Sequence, residues 1–97
     1  MFARVSSYQF PADQAEQAVQ AFATAMNPLR QLDGATGAYL LLDRGSGKAL
    51  TITLWQSEEA LRASEEAANQ LRSDAAGSAA GTVQAVERYE VALDEQF

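Results

Sequence analysis

The chain has 97 residues with no cysteine and no histidine, and its 13 acidic and 7 basic residues give a net charge of -6. The missing residue types exclude the commonest general base and the usual protein ligands of zinc, copper and haem iron. We therefore expect no cofactor and no metal. The negative charge, without a basic patch, argues against nucleic acid and an anionic membrane as partners.

The length is sufficient for one domain with a buried core, so we expect a single domain over residues 1–97. The longest apolar run, Ala38 to Leu42, is too short to span a bilayer. The first residues lack the profile of a signal peptide. These features predict a cytoplasmic protein.

The first third of the chain predicts a strand followed by an amphipathic helix. Residues Ala3 to Phe10 are rich in β-branched, aromatic and hydroxyl side chains and precede Pro11, which is typical of a strand that ends there. Apolar residues then recur at helical spacing at Ala15, Val19, Phe22, Met26 and Leu29. Pro28 predicts a kink, or a short second segment over Asn27 to Leu32.

The middle of the chain predicts a β-hairpin. Ala38 to Asp43 is a second strand, residues 44–47 form a turn with two glycines, and Lys48 to Trp55 is a third strand. Alternation along the third strand places Leu50, Ile52 and Leu54 on one face, and Thr51, Thr53 and Trp55 on the other.

The last third predicts a helix and a fourth strand. Ser57 is a good N-cap for a helix whose one face carries Leu61, Ser64, Ala68 and Leu71. The small residues from Asp74 to Thr82 predict a loop. Val83 to Leu93 alternates well enough for a long strand, and a short tail follows.

The element order is therefore βαββαβ, which predicts an α+β, ferredoxin-like fold. In this fold a four-stranded antiparallel sheet carries two helices on one face. The other sheet face would expose a large apolar surface, which a second copy of the chain would cover. We therefore expect a homodimer in which two sheets face each other.

The chain resembles the antibiotic biosynthesis monooxygenase family. The resemblance is carried by the element order, by GAYLLLDRGSGKALTITLWQSEEALRASE, which ends at Glu65, and by the closing VERYEVAL. Its most telling motif is a tryptophan at the end of the third strand followed by Ser-Glu-Glu, here Trp55 to Glu59. The resemblance implies a dimeric α+β barrel. It also implies a range of activities, because the superfamily includes quinone-forming oxygenases, haem-degrading enzymes and isomerases.

The catalytic residues of that family do not all carry over to this chain. Quinone-forming oxygenases carry asparagine four residues before the tryptophan, where this chain has Thr51. Haem-degrading members carry a helical histidine about ten residues after it, and that position is Glu65 here. The resemblance therefore implies no haem ligation of that kind.

The resemblance implies a cofactor-free monooxygenase that acts on an aromatic or polyketide-like compound. A deprotonated phenolic substrate can itself donate an electron to oxygen, so the protein supplies a dry pocket, orientation and donors that stabilise the oxyanion. Trp55 and Glu65 are the candidate catalytic residues, with Glu65 as general base. The candidate ligand pocket comprises Trp55, Thr51, Thr53, Tyr39, Phe22 and Met26, with Tyr8 nearby.

A structural interpretation competes with each functional one. Trp55 also fits a packing role in the core between sheet and helix, because an indole buries a large apolar area. Glu65 also fits a solvated helix residue whose stem covers the edge of the apolar stripe. The alternative function is a non-catalytic dimeric barrel that binds a small hydrophobic ligand or acts as a partner subunit.

Overall fold

A computed structural model describes all residues from Met1 to Phe97. The strands are β1 (Phe2–Gln9), β2 (Ala35–Asp43), β3 (Lys48–Trp55) and β4 (Thr82–Glu90), and the helices are α1 (Ala15–Leu29), α2 (Glu58–Ala63) and α3 (Glu65–Ser78). A short 3-10 helix at Ala12–Gln14 leads into α1. None of the helices combines the length and apolar character that crossing a membrane requires.

The strands form one antiparallel sheet in the order β2-β3-β1-β4. The two central strands, β1 and β3, are paired along their whole length, so that Arg4 lies opposite Thr53 and Tyr8 opposite Ala49. With the helices, this sheet confirms the predicted ferredoxin-like α+β fold. The predicted dimeric barrel involves a second copy of the chain and stays a prediction.

The predicted second segment over Asn27 to Leu32 does not form, and the predicted kink at Pro28 stays a prediction. α1 continues through Pro28 and ends one residue later, at Leu29. The missing N–H of a proline costs one helical hydrogen bond, and in the last turn this loss does not divide the helix. The next residues form tight turns, in which the amides of Gln31 and Leu32 donate to carbonyls three residues back.

The predicted second helix differs in two ways. It is divided at Ser64 into α2 and α3, and α3 continues to Ser78 through most of the segment that we predicted to be a loop. Alanine is the best helix former, and the alanines of this segment, Ala75 and Ala76, are buried against the core. Burial therefore adds to propensity, and the remaining connection to β4 is only residues 79–81.

Three aromatic rings form the centre of the core at one end of the sheet. The ring of Phe22 from α1 contacts Tyr8 edge-on at 5.0 Å between centroids, and Phe10 packs against Phe22 at 6.1 Å. Small residues surround them: Ala18, Ala49, Ala75, Ala76 and Ala79. These alanines let the helices approach the sheet closely.

The sheet face away from the helices is largely apolar. The alternation predicted for β3 is confirmed, because Thr51 and Trp55 are buried whereas Leu50 is exposed. The register places Leu41 opposite Leu50, and Tyr39 opposite Ile52, on this outer face. Of these four side chains, Tyr39, Leu41 and Leu50 are exposed and Ile52 is half-buried.

Candidate functional site

A cavity of about 50 Å³ lies between the sheet and helices α1 and α3. Its helix side is mainly apolar, and its sheet side carries hydroxyl groups. The lining residues are Arg4, Ser6, Tyr8, Phe22, Ala25, Met26, Leu29, Thr51, Thr53, Ala68, Leu71 and Arg72. Since about 10–15 Å³ of such volume accommodates one water, the cavity has room for only a few water molecules, and an aromatic ligand requires its walls to move apart.

The structure places the six predicted pocket residues in different environments. Phe22 and Met26 line the cavity from α1, and Thr51 and Thr53 line it from β3. Tyr39 does not, and its assignment to the pocket was wrong. Its pairing with Ile52 places it on the outer face of the sheet, where it is 59% exposed.

Trp55 lies behind the cavity wall rather than in it, so its assignment as a lining residue was also wrong. The side chain is completely buried. Its Nε1–H donates a hydrogen bond to the hydroxyl oxygen of Thr53 at 2.9 Å, and the guanidinium carbon of Arg4 lies 5.3 Å from the ring centroid. The one polar hydrogen of Trp55 is therefore engaged within the protein. Trp55 can influence the cavity through its contacts with Thr53 and Arg4, which line it.

Arg4 is the main feature of the site that the sequence analysis missed. It is only 2% exposed, and its Nη2 donates to the carbonyl oxygen of Leu61 at 2.9 Å and to the hydroxyl of Ser64 at 3.0 Å. Its Nε and Nη1 are buried and have no hydrogen-bond partner. The detectable signal was its position in β1, since Arg4 shares the inward face with Tyr8.

Glu65 is held by two arginines. Arg88 donates from Nε and Nη2 to the two carboxylate oxygens at 2.6 and 2.7 Å, and Arg4 forms an ion pair with the same carboxylate at 3.1 Å. Hydrogen bonds from Arg88, and then from Arg4, lower the pKa of Glu65 to about 2 although partial burial opposes the shift. A carboxylate with so low a pKa is a poor proton acceptor near neutral pH. The engaged state of Glu65 argues against its predicted role as general base.

Two further ionisable groups line the cavity. The hydroxyl of Tyr8 shares a 2.9 Å hydrogen bond with that of Thr51, and burial raises the pKa of Tyr8, so the phenol stays protonated and can donate. Arg72 is buried and donates to the side-chain oxygen of Asn69 at 2.8 Å. Burial lowers the pKa of Arg72 from its usual high value. The polar side of the cavity is thus a set of donors.

A second cleft, of about 330 Å³, lies on the surface where α1 ends and β2 begins. It shares two residues, Met26 and Leu29, with the inner cavity. Both side chains are only half-buried. Methionine changes rotamer easily because its chain is unbranched. Movement of these two side chains would join the cleft to the cavity, and the joined space falls at the lower end of the range for small-molecule sites, about 300–1,000 Å³.

Comparison with known proteins relates the chain to one family. The family model for antibiotic biosynthesis monooxygenase matches residues 1–76. The uncharacterized proteins Rv2558 and Rv2557 of Mycobacterium tuberculosis strain H37Rv are 40% identical over 68 residues and 39% identical over 67 residues, or 70% and 69% of this chain. The matched segments make up only 28% and 30% of those proteins, so the similarity covers less than a third of their length.

Solved structures show the same fold. The haem-degrading MhuD of M. tuberculosis, solved with two haem groups in its active site, is similar with a TM-score of 0.78 at 21% identity, over 99% of this chain and 100% of that one. SnoaB, a cofactor-independent oxygenase of Streptomyces nogalater, has a TM-score of 0.69 at 16% identity, over 96% and 94% of the two chains. At such identities the similarity establishes the fold alone.

The residues of this cavity do not fit a haem iron. The chain contains neither histidine nor cysteine, and no group of three or more potential metal ligands comes together. Glu65, at the position where the resemblance places a histidine, has both carboxylate oxygens bound by Arg88.

Proposed function

Because the chain belongs to the antibiotic biosynthesis monooxygenase family, we propose that it is a small cofactor-independent monooxygenase acting on an aromatic or polyketide-like compound. The observation that carries this proposal is the two-sided cavity, in which apolar side chains of α1 and α3 face hydroxyl groups of β1 and β3. An aromatic ring suits the first side, and its oxygen substituents suit the second.

The proposed reaction needs no group that the chain lacks. It is R₂CH₂ + O₂ → R₂C=O + H₂O, in which one ring carbon loses two C–H bonds and gains a C=O bond. The substrate supplies all the electrons that reduce dioxygen, so one oxygen atom enters the product and the other becomes water. The chain would contribute orientation, a dry cavity and donors to the substrate oxygen, here Tyr8, Thr51 and Thr53.

Entry of the substrate is proposed to occur between Met26 and Leu29, which separate the cavity from the surface cleft. Their position at the end of α1 supports this route, because the helix ends at Leu29 and turns follow it. Pro28 lacks an amide donor, so this turn has one helical hydrogen bond fewer, and small outward shifts there cost less than in the middle of the helix.

The test is oxygen consumption with a panel of hydroxylated anthrones and naphthols, corrected for the rate without protein. We expect uptake of one O₂ per ketone formed. Leu71→Trp, which fills the cavity, should abolish it, whereas Leu93→Trp, on a side chain that is 77% exposed, should not. Should Leu71→Trp fail to fold, Met26→Trp at the half-buried entrance serves the same purpose. No uptake above background with any compound would contradict the proposal.

The second candidate is a non-catalytic domain that binds a small hydrophobic ligand. The observation that favours it is the lack of an available base, since no carboxylate lines the cavity and the candidate base Glu65 is engaged by Arg88 and Arg4. Ligand-dependent thermal stabilisation without oxygen consumption would support this candidate over the first.

We also propose that the functional unit is a homodimer formed through the outer face of the sheet. Exposed Tyr39, Leu41, Leu50 and Tyr89 support this, together with the half-buried Ile52 beside them. A contiguous apolar sheet face of this kind is unusual in a monomer, and an identical sheet would complement it.

A further inference from the structure

We propose that Arg4 forms an oxyanion subsite and that the cavity recognises its ligand as the conjugate base of an acidic phenol or enol. This inference deepens the proposed function by naming the substrate class of the same cavity, and it rests on that cavity being the substrate site. It is carried by the two unpartnered donors of Arg4, a side chain that lines the cavity and is 2% exposed.

An unpaired buried donor on a charged group is costly, and most buried polar groups in proteins have partners. In Arg4 only Nη2 is engaged, with Leu61, Ser64 and Glu65. Its Nε and Nη1 are covered by protein in the unliganded chain. A ligand oxygen that enters as the cavity widens would accept from Nη1, so binding would remove part of a penalty that folding leaves in place.

The charges around the cavity favour an anion. Arg4, Arg72 and Arg88 lie near one another, and the charged group that faces them is the carboxylate of Glu65. The remaining titratable neighbour is Tyr8, whose pKa burial raises, so it is neutral. The half-exposed Arg88 offsets the charge of Glu65, so the buried Arg4 and Arg72 leave a positive excess beside the cavity, where electrostatic attraction is stronger than in water.

The free donors indicate a single oxyanion rather than a carboxylate. Nε and Nη1 lie on different edges of the guanidinium plane, whereas the two parallel hydrogen bonds of a carboxylate need donors on one edge. That bidentate arrangement is what Arg88 forms with Glu65. One oxygen of a phenolate or enolate can accept a hydrogen bond from either hydrogen of Nη1. It can also accept one hydrogen bond from Nη1 together with one from a hydroxyl group of the sheet.

This subsite also explains how a cavity without a suitable base could activate its substrate. Stabilising the anion lowers the pKa of the bound phenol, so that the proton leaves to water as the ligand binds. An opposite charge within a few ångströms lowers a pKa by about 1–3 units. The chain then needs no general base, in agreement with the engaged state of Glu65.

The test compares three ligands that share one nitrobenzene scaffold: 4-nitrophenol, 4-nitrobenzoate and 4-nitroanisole. The visible phenolate band gives the pKa of bound 4-nitrophenol directly. We expect that pKa to fall by about one unit or more, which corresponds to phenolate binding about tenfold more tightly than the neutral phenol. 4-Nitroanisole and 4-nitrobenzoate should bind more weakly than the phenolate.

Arg4→Gln should remove the pKa shift, and Arg62→Gln, on an exposed arginine outside the cavity, should keep it. The comparison of the three ligands needs only the unmodified chain, so it tests the oxyanion subsite even if Arg4→Gln does not fold. An unchanged or raised pKa, or equal binding of 4-nitrobenzoate, would overturn the inference. A lowered pKa of bound 4-nitrophenol, without oxygen uptake from any compound, would support the oxyanion subsite and contradict the proposed monooxygenase activity.

Discussion

The guanidinium carbon of Arg4 lies 5.3 Å from the centre of the Trp55 ring, and both side chains are buried beneath α2 and α3. A cation over an indole face is stabilised by the ring's quadrupole, and more so when water is excluded. Trp55 also donates to Thr53, so one buried residue orients two that line the cavity. The family tryptophan thus supports the site in this chain without facing it.

We expect Trp55→Ala to lower the free energy of unfolding by about 3–5 kcal/mol, because it leaves a large cavity in the core. Trp55→Phe should cost less in stability but should loosen Thr53, whose hydroxyl loses its indole donor. Urea denaturation followed by far-ultraviolet circular dichroism measures the free energy of unfolding of both variants. Phe97→Ala, at an exposed aromatic, is the control and should change little. A loss below 1 kcal/mol for Trp55→Ala would contradict this assignment.

The low pKa of Glu65 predicts a pH dependence of stability. A carboxyl group whose folded pKa is lowered from 4.5 to about 2 contributes stability at higher pH, which is lost as pH falls through that range. Glu65→Gln should therefore be less stable than the unmodified chain above pH 5, and the difference should vanish near pH 2. Thermal unfolding against pH measures it.

The control for this prediction is Glu58→Gln, which removes an exposed i,i+4 partner of Arg62. Such surface pairs contribute little, so this variant should follow the unmodified chain at each pH. Parallel pH profiles for Glu65→Gln and the unmodified chain would show that the arginines do not hold the carboxylate in solution.

Two glycines should respond in opposite directions to alanine. Gly77 lies in α3, and a Cβ there meets nothing within 4 Å, so Gly77→Ala should stabilise the chain by up to about 1 kcal/mol. Gly47 has φ +78°, and a Cβ there would clash with the carbonyl oxygen of Phe10. Gly47→Ala should cost about 1–3 kcal/mol. The melting temperatures of the two variants measure these effects. If Gly77→Ala were destabilising, the assignment of residue 77 to helix α3 would be contradicted.

The proposed dimer predicts the effect of charges on the outer sheet face. Leu41 and Leu50 are cross-strand neighbours there, and replacing both with lysine should convert a dimer to a folded monomer in sedimentation experiments at micromolar concentration. The stable interfaces of such dimers bury well over about 1,000 Å² in total, so two buried lysines suffice to prevent association. Leu93→Lys in the tail is the control. A monomeric unmodified chain would refute the proposal.

Local patterns determined most of the secondary structure. The alternation in KALTITLW predicted both faces of β3, and Ser57 begins α2 as predicted, since its hydroxyl accepts from the amide of Ala60. Such features depend on neighbours within four residues and can be recognised without the rest of the fold. The order of elements was then enough to predict the antiparallel sheet.

Only the tertiary structure decided the length of α3 and the membership of the site. The segment after Asp74 is helical because its alanines meet the core around Phe10, and that contact crosses more than sixty residues of sequence. Tyr39 is outside because strand pairing places it opposite Ile52. Arg4 became a site residue because Leu61, Ser64 and Glu65 come together around it. Strand alternation predicts the face of the sheet on which Arg4 lies, but the partners that it meets there are a property of the packed chain.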